Sequence, residues 1–90
     1  MLLSKEKLQD LDGWSMKEDS IEKEFVFDDF KKALGFVNEV GALAEKEDHH
    51  PNIELFAYKK VKITLSTHSE GGVTEKDTDM ATGIDKLFET

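Results

Sequence analysis

The chain has no cysteine, no arginine and a single proline among its 90 residues, and each scarcity narrows what it can do. Without cysteine there is no disulfide, no thiolate nucleophile and no zinc–sulfur site. Without arginine, all twelve cationic side chains are lysines, so no guanidinium can grip a phosphate or carboxylate through two parallel hydrogen bonds. The net charge is −8, and an acidic chain lacks the basic patch that displaces counterions from a nucleic-acid backbone. Nucleic acids and phosphorylated substrates are therefore poor partners. No apolar run approaches membrane-spanning length, and Met1-Leu2-Leu3-Ser4-Lys5-Glu6-Lys7 turns charged before a signal-peptide core forms. No membrane partner is expected, and the cytoplasm is the expected location.

What is present is a hydrophobic fraction of 38% beside a charged fraction of 36%, the balance of a globular chain. Residues 1–90 are expected to form one domain around one core. So short a chain exposes much of its surface, which favours burying a face in a homo-oligomer.

Leu3, Leu8 and Leu11 punctuate a charged opening segment expected to form a short helix, broken at Gly13. Trp14 to Met16 then starts a first strand. Ile21, Phe25 and Phe27 share one face and Glu22 and Glu24 the other, the period of a strand. Asp28 or Asp29 caps the next helix, in which Phe30, Ala33, Leu34, Val37, Val40 and Ala44 form an apolar stripe of about four turns toward Glu47. Pro51 holds His50 extended, so that helix ends at or before His49. A second β region runs from about Glu54 to Thr67, with Val61, Ile63, Leu65 and Thr67 on one face and Lys60, Lys62, Thr64 and Ser66 on the other. Gly71-Gly72 makes a turn, and Thr74-Glu75-Lys76-Asp77 reads as a capping box with Asp in place of Glu. Met80, Ala81, Ile84, Leu87 and Phe88 stripe the last helix. The order α-β-β-α-β-α, with region 54–67 holding one strand or two, predicts an α+β sandwich with helices on one face of a small antiparallel sheet.

The three histidines are the residues most suited to chemistry, because imidazole both gives and takes a proton near neutrality. His49-His50-Pro51 admits two readings. The pair is either a solvated helix end, where a cationic ring suits the helix dipole, or a bend that aims two rings into one pocket. His68, between an apolar strand and a glycine turn, is either an ordinary loop residue or a third member of that site. Asp77 is a helix-capping carboxylate that is also able to orient an imidazole; Glu45 and Asp48 are solvated charges or do the same for the pair. Adjacent histidines seldom chelate one ion, so no metal site is expected. Ser66, Thr67 and Ser69 lack the motif of a nucleophile.

Beyond that reading, Glu45-Lys46-Glu47-Asp48-His49-His50-Pro51, then Tyr58 and Val61, then Thr64-Leu65-Ser66-Thr67-His68, then Gly71-Gly72-Val73-Thr74-Glu75-Lys76-Asp77 closely resemble the pterin-4a-carbinolamine dehydratases. Trp14 and the run Ile21 to Phe30 are similar to that family as well. The resemblance implies a four-stranded antiparallel sheet with helices packed on it, assembled as a dimer or tetramer. It implies dehydration of 4a-hydroxytetrahydrobiopterin to quinonoid dihydrobiopterin, which recycles the cofactor of aromatic amino-acid hydroxylases, with no cofactor of the enzyme's own. The family's catalytic histidines fall on His49, His50 and His68, with Glu45 and Asp77 as supporting carboxylates. Its substrate-binding segments fall on His49-His50-Pro51 and Thr67-His68-Ser69-Glu70. Two departures stand out: Lys76 where many members carry arginine, and Ile53 where some carry an aromatic.

The implied chemistry needs one proton delivered to the leaving hydroxyl and one removed from N5. One of His49, His50 and His68 supplies the first and another accepts the second, with their roles left open. Glu45 or Asp77 sets tautomer and orientation. The resemblance also implies a rival role: a non-catalytic module partnering a transcription factor's dimerisation segment, or a hydroxylase. That role predicts an exposed apolar stripe on the helix from Asp29 to Glu47.

Overall fold

A computed structural model describes Leu11 and residues 13–89; the expected opening helix around Leu3 and Leu8 lies outside these residues. In chain order come β1 (Ser15–Met16), β2 (Ile21–Val26), α1 (Phe30–Glu47), β3 (Asn52–Phe56), β4 (Lys60–Leu65), a 3₁₀ turn (His68–Glu70) and α2 (Glu75–Glu89). The four strands form one sheet in the order β1-β2-β4-β3, antiparallel throughout. The helices cover one face, as the α+β reading expected.

The period-two pattern builds the sheet side of the core directly. Ile21, Phe25, Val61, Ile63 and Leu65 are almost completely buried, and they meet Ala33, Phe36, Val40 and Ala44 of α1 and Met80, Ala81 and Ile84 of α2. Phe25 anchors the aromatic part, with ring centroids 4.9 Å from Phe36, 5.0 Å from Phe88 and 6.2 Å from Trp14. Lys23 shares the inward parity of Ile21 and Phe25, yet its Nζ reaches Asp85 Oδ1 on α2 at 2.9 Å. The Trp14 indole N–H donates to the same carboxylate at 3.1 Å, so Asp85 fastens the start of β1 and the middle of β2 to the last helix.

Of the two candidate caps for α1, Asp29 takes the role: its side chain accepts from the Lys32 N–H at 2.8 Å. Asp28 pairs with the Lys32 ammonium instead, and that hydrogen bond holds the lysine above its ordinary pKa. The helix runs 18 residues, about five turns rather than four. Asp48 closes it in the left-handed region at φ 51°, one residue before His49. On its outer side Phe30 and Leu34 are exposed, so the apolar stripe expected there is confined to the first turns.

Region 54–67 is two strands, and the pairing begins at Asn52. The hairpin between them places Ala57 at φ 49° and Tyr58 at φ 55°. Both lie in the left-handed region, which costs a non-glycine residue about 1–2 kcal/mol. Changing Ala57 to Asn and Tyr58 to Gly installs residues suited to such a turn. After allowance for the looser unfolded chain, the double variant is expected to gain about 1 kcal/mol, and its Tm to rise by about 4–8 °C. Thermal melts followed by circular dichroism check this; an unchanged or lower Tm contradicts it.

Candidate functional site

The site grows from the junction where α1 gives way to β3. In β3 the register sets Asn52 opposite Thr64 and Ile53 opposite Ile63. Successive strand residues face opposite sides of a sheet. By the same parity, His49 falls with Ile53 on the helix side and His50 with Asn52 on the outer side. The contacts agree with this division.

His49 faces a buried carboxylate. Its Nε2 lies 2.6 Å from Asp77 Oδ1, with the His49 side chain 14% exposed and that of Asp77 0%. The other oxygen, Asp77 Oδ2, accepts the Thr67 hydroxyl at 2.8 Å and the Thr74 N–H at 2.9 Å. The Thr74 contact is the capping box read from the sequence, a carboxylate at the third helical position reaching back to the residue before the helix. Asp77 thus caps α2 and holds an imidazole at once. Thr67 is buried, and a bridge to Gly72 engages its backbone N–H and carbonyl. Its hydrogen-bonding groups are directed into the protein.

His50 lies on the other side. Its Nε2 is 2.5 Å from Glu45 Oε2 in the last turn of α1, and both side chains are largely exposed. His50 and His68 line one cleft of about 150 Å³ together with Asp19, Ser20, Asn52, Thr64 and Ser66. His68 opens the 3₁₀ turn, exposed with Ser69 and Glu70, and Gly71 closes that turn at φ 73°, a conformation glycine adopts without strain. His49 lines a separate cleft of about 270 Å³ with Glu47, Asp48, Lys76, Asp79 and Met80. The structure therefore brings His50 and His68 together and places His49 on a neighbouring surface. The adjacent rings take different carboxylate partners, Asp77 for His49 and Glu45 for His50.

Lys76, in the family's arginine position, stands beside His49 in the larger cleft. Ile53 is half-buried against the core. Among the described residues no group of three or more His, Asp or Glu is placed to hold a metal ion, and no buried side-chain nitrogen or oxygen lacks a partner. Sequence reading missed Asp19 and Ser20, which the β1–β2 turn brings in. Ser66, facing outward on β4's parity, donates to the Asp19 carbonyl at 2.8 Å and fixes that turn at the cleft. Only the pairing of β2 with β4, with Ile21 opposite Leu65, puts these segments side by side.

Known proteins resemble this chain over most of its length. A family model described as pterin 4 alpha carbinolamine dehydratase matches residues 3–87. A Sulfurisphaera tokodaii protein named "Putative pterin-4-alpha-carbinolamine dehydratase" is 43% identical over 84 residues, 93% of this chain and 89% of its own. An Aquifex aeolicus protein of the same name is 43% identical over 83 residues, 92% of this chain and 83% of its own. Among solved structures, a transcriptional coactivator/pterin dehydratase from Brucella melitensis superposes with a TM-score of 0.88 at 41% identity, covering 97% of this chain and 98% of that one. A pterin dehydratase-like protein identified as a RuBisCO assembly factor in the alpha-carboxysome superposes with a TM-score of 0.68 at 28% identity, covering 83% and 86%.

Proposed function

The chain belongs to the pterin-4a-carbinolamine dehydratase family, and from that membership and its histidines we propose that it converts 4a-hydroxytetrahydrobiopterin to quinonoid dihydrobiopterin and water. The observation that carries this reading is the histidine arrangement. Two rings share one cleft, and the third is fixed on the adjoining residue by a fully buried carboxylate. The reaction needs no external oxidant. A proton reaches the C4a hydroxyl, the C4a–O bond breaks as water leaves, the N5 lone pair forms the C4a–N5 double bond, and the N5 proton is taken up. Positioned imidazoles suit both transfers, and such assistance contributes about 10²–10⁴-fold. Cytoplasmic cofactor recycling for a hydroxylase, in a homodimer or homotetramer of this single domain, completes the proposal.

Stopped-flow measurement of dehydration with the purified protein tests it. The expected outcome is a rate well above the spontaneous one and proportional to enzyme concentration; no acceleration overturns the reading. A second reading, a non-catalytic module serving a transcription factor or an assembly partner, draws on the exposed Phe30 and Leu34 of α1 and on the roles named for the two structural neighbours. Partner binding that survives loss of all three histidines and fails on Phe30→Ser with Leu34→Ser, in a protein without dehydratase activity, would favour it.

A further inference from the structure

We infer that Thr67 is a positioning residue whose hydroxyl, acting through Asp77, fixes which nitrogen of His49 carries the proton. Thr67 continues the inward row of Val61, Ile63 and Leu65 one step past the end of β4, so a hydroxyl stands where the core pattern calls for an apolar group. A buried hydroxyl needs partners, and here the partners impose a direction. The Lys76 N–H is able only to donate, and it donates to Thr74 Oγ1 at 3.2 Å. Thr74 Oγ1 lies 2.8 Å from Thr67 Oγ1, and Thr67 in turn donates its one proton to Asp77 Oδ2 at 2.8 Å. Having given its proton to the carboxylate, Thr67 accepts from Thr74. The relay therefore runs one way, from the first turn of α2 to Asp77.

With the Thr74 N–H arriving as well, Oδ2 receives two donors. The free rim of the carboxylate, Oδ1, is left to receive a third from His49 Nε2. That puts the proton of neutral His49 on Nε2 and the lone pair on Nδ1, which makes no hydrogen bond among the described residues. His49 then meets a bound molecule through Nδ1, as a base when neutral and as an acid when doubly protonated. The Thr67 hydroxyl is bonded to Thr74 and Asp77, not to the His49 ring, and acts by keeping Asp77 oriented.

Nitrogen-15 NMR of imidazole-labelled protein, recorded above the ordinary histidine titration range, reads the tautomer directly. Wild-type protein is expected to show His49 protonated on Nε2; a His49 protonated on Nδ1 overturns the inference, whatever the variants do. Thr67→Val keeps the shape and removes the hydroxyl. It is expected to give a mixed tautomer at His49 and a kcat about 10-fold lower with KM unchanged, the scale on which supporting shells act. Thr67→Ser restores the hydroxyl and is expected to recover both. An unaltered tautomer in Thr67→Val, or a serine variant as impaired as the valine one, also overturns it. The activity readout rests on the dehydratase reading, whereas the NMR readout does not. An inactive wild-type protein would therefore remove the proposed function and leave the role of Thr67 to be decided by its spectrum.

Discussion

His49→Ala is expected to lower kcat for dehydration by about 10²–10⁴-fold, the range for loss of a positioned acid–base group. Its partner is a carboxylate with no solvent exposure, itself held by two further donors, so the ring enters the reaction already oriented. His50 is held differently. Its partner Glu45 has a side chain 77% exposed, and exposed pairs of this kind contribute about 0–1 kcal/mol. Glu45→Ala should therefore change the rate by less than about fivefold. Alanine at His50 or His68, which line the other cleft, is expected to lower kcat on the scale of His49→Ala. Stopped-flow turnover, with circular dichroism to show that each variant is folded at the assay temperature, makes the comparison. A His49 variant that turns over at the wild-type rate contradicts the assignment.

Asp77→Ala is expected to cost about 3–5 kcal/mol of stability, the scale for removing one partner of a buried polar cluster. Three donors lose their acceptor together: the Thr67 hydroxyl, the Thr74 N–H at the head of α2 and His49 Nε2. For a domain of this size the whole margin is about 5–15 kcal/mol, so Tm should fall by at least about 12 °C. Asp77→Asn separates structure from chemistry. Its amide oxygen still accepts from Thr67 and Thr74, which leaves the amide nitrogen facing His49. A donor there requires His49 to present Nε2 as an acceptor and moves the ring proton to Nδ1. The asparagine variant is therefore expected to regain most of the stability and little of the activity. The same inversion in a catalytic Ser-His-Asp triad lowers kcat by about 10⁴-fold. Thermal melts and turnover on the same samples test both statements. An asparagine variant that recovers activity along with Tm would show that the tautomer is irrelevant.

Where side-chain period alone sets geometry, the fold was legible. Ile21 and Phe25, and then Val61, Ile63 and Leu65, point inward because alternation is a local property of a strand. Asp29 and Pro51 bracketed α1 because capping and proline sterics act within a few residues. The β3–β4 hairpin was hidden for a physical reason: Ala57-Tyr58-Lys59 contains no Gly, Asn or Asp, and the cost of its left-handed residues is met by the pairing on either side. The site was legible as a set of residues and illegible as an arrangement. His49 and His50 are neighbours in sequence, and only the folded chain decides that one meets Asp77 and the other meets Glu45 at the cleft that His68 also lines. Asp19 and Ser20 carry no local signal, since a contact with Ser66 across 47 positions brings them to the cleft. Thr74 was visible as a cap, but its hydroxyl link to Thr67 is a property of the folded state.

The fastening at Asp85 has an optical consequence. The chain holds one tryptophan, and Trp14 is 8% exposed, with its indole edge-on to Phe25 and bonded to Asp85. Intrinsic indole fluorescence therefore has a single source. It reports the docking of β1 against a stretch of α2 about 12 Å along the helix from Asp77, at 1.5 Å per residue. An emission shift during unfolding marks the moment at which that end of the sheet parts from the helix. Far-ultraviolet dichroism averages over α1 and α2 together, so the coincidence or separation of the two curves tells whether the start of the sheet and the helical layer come apart as one unit.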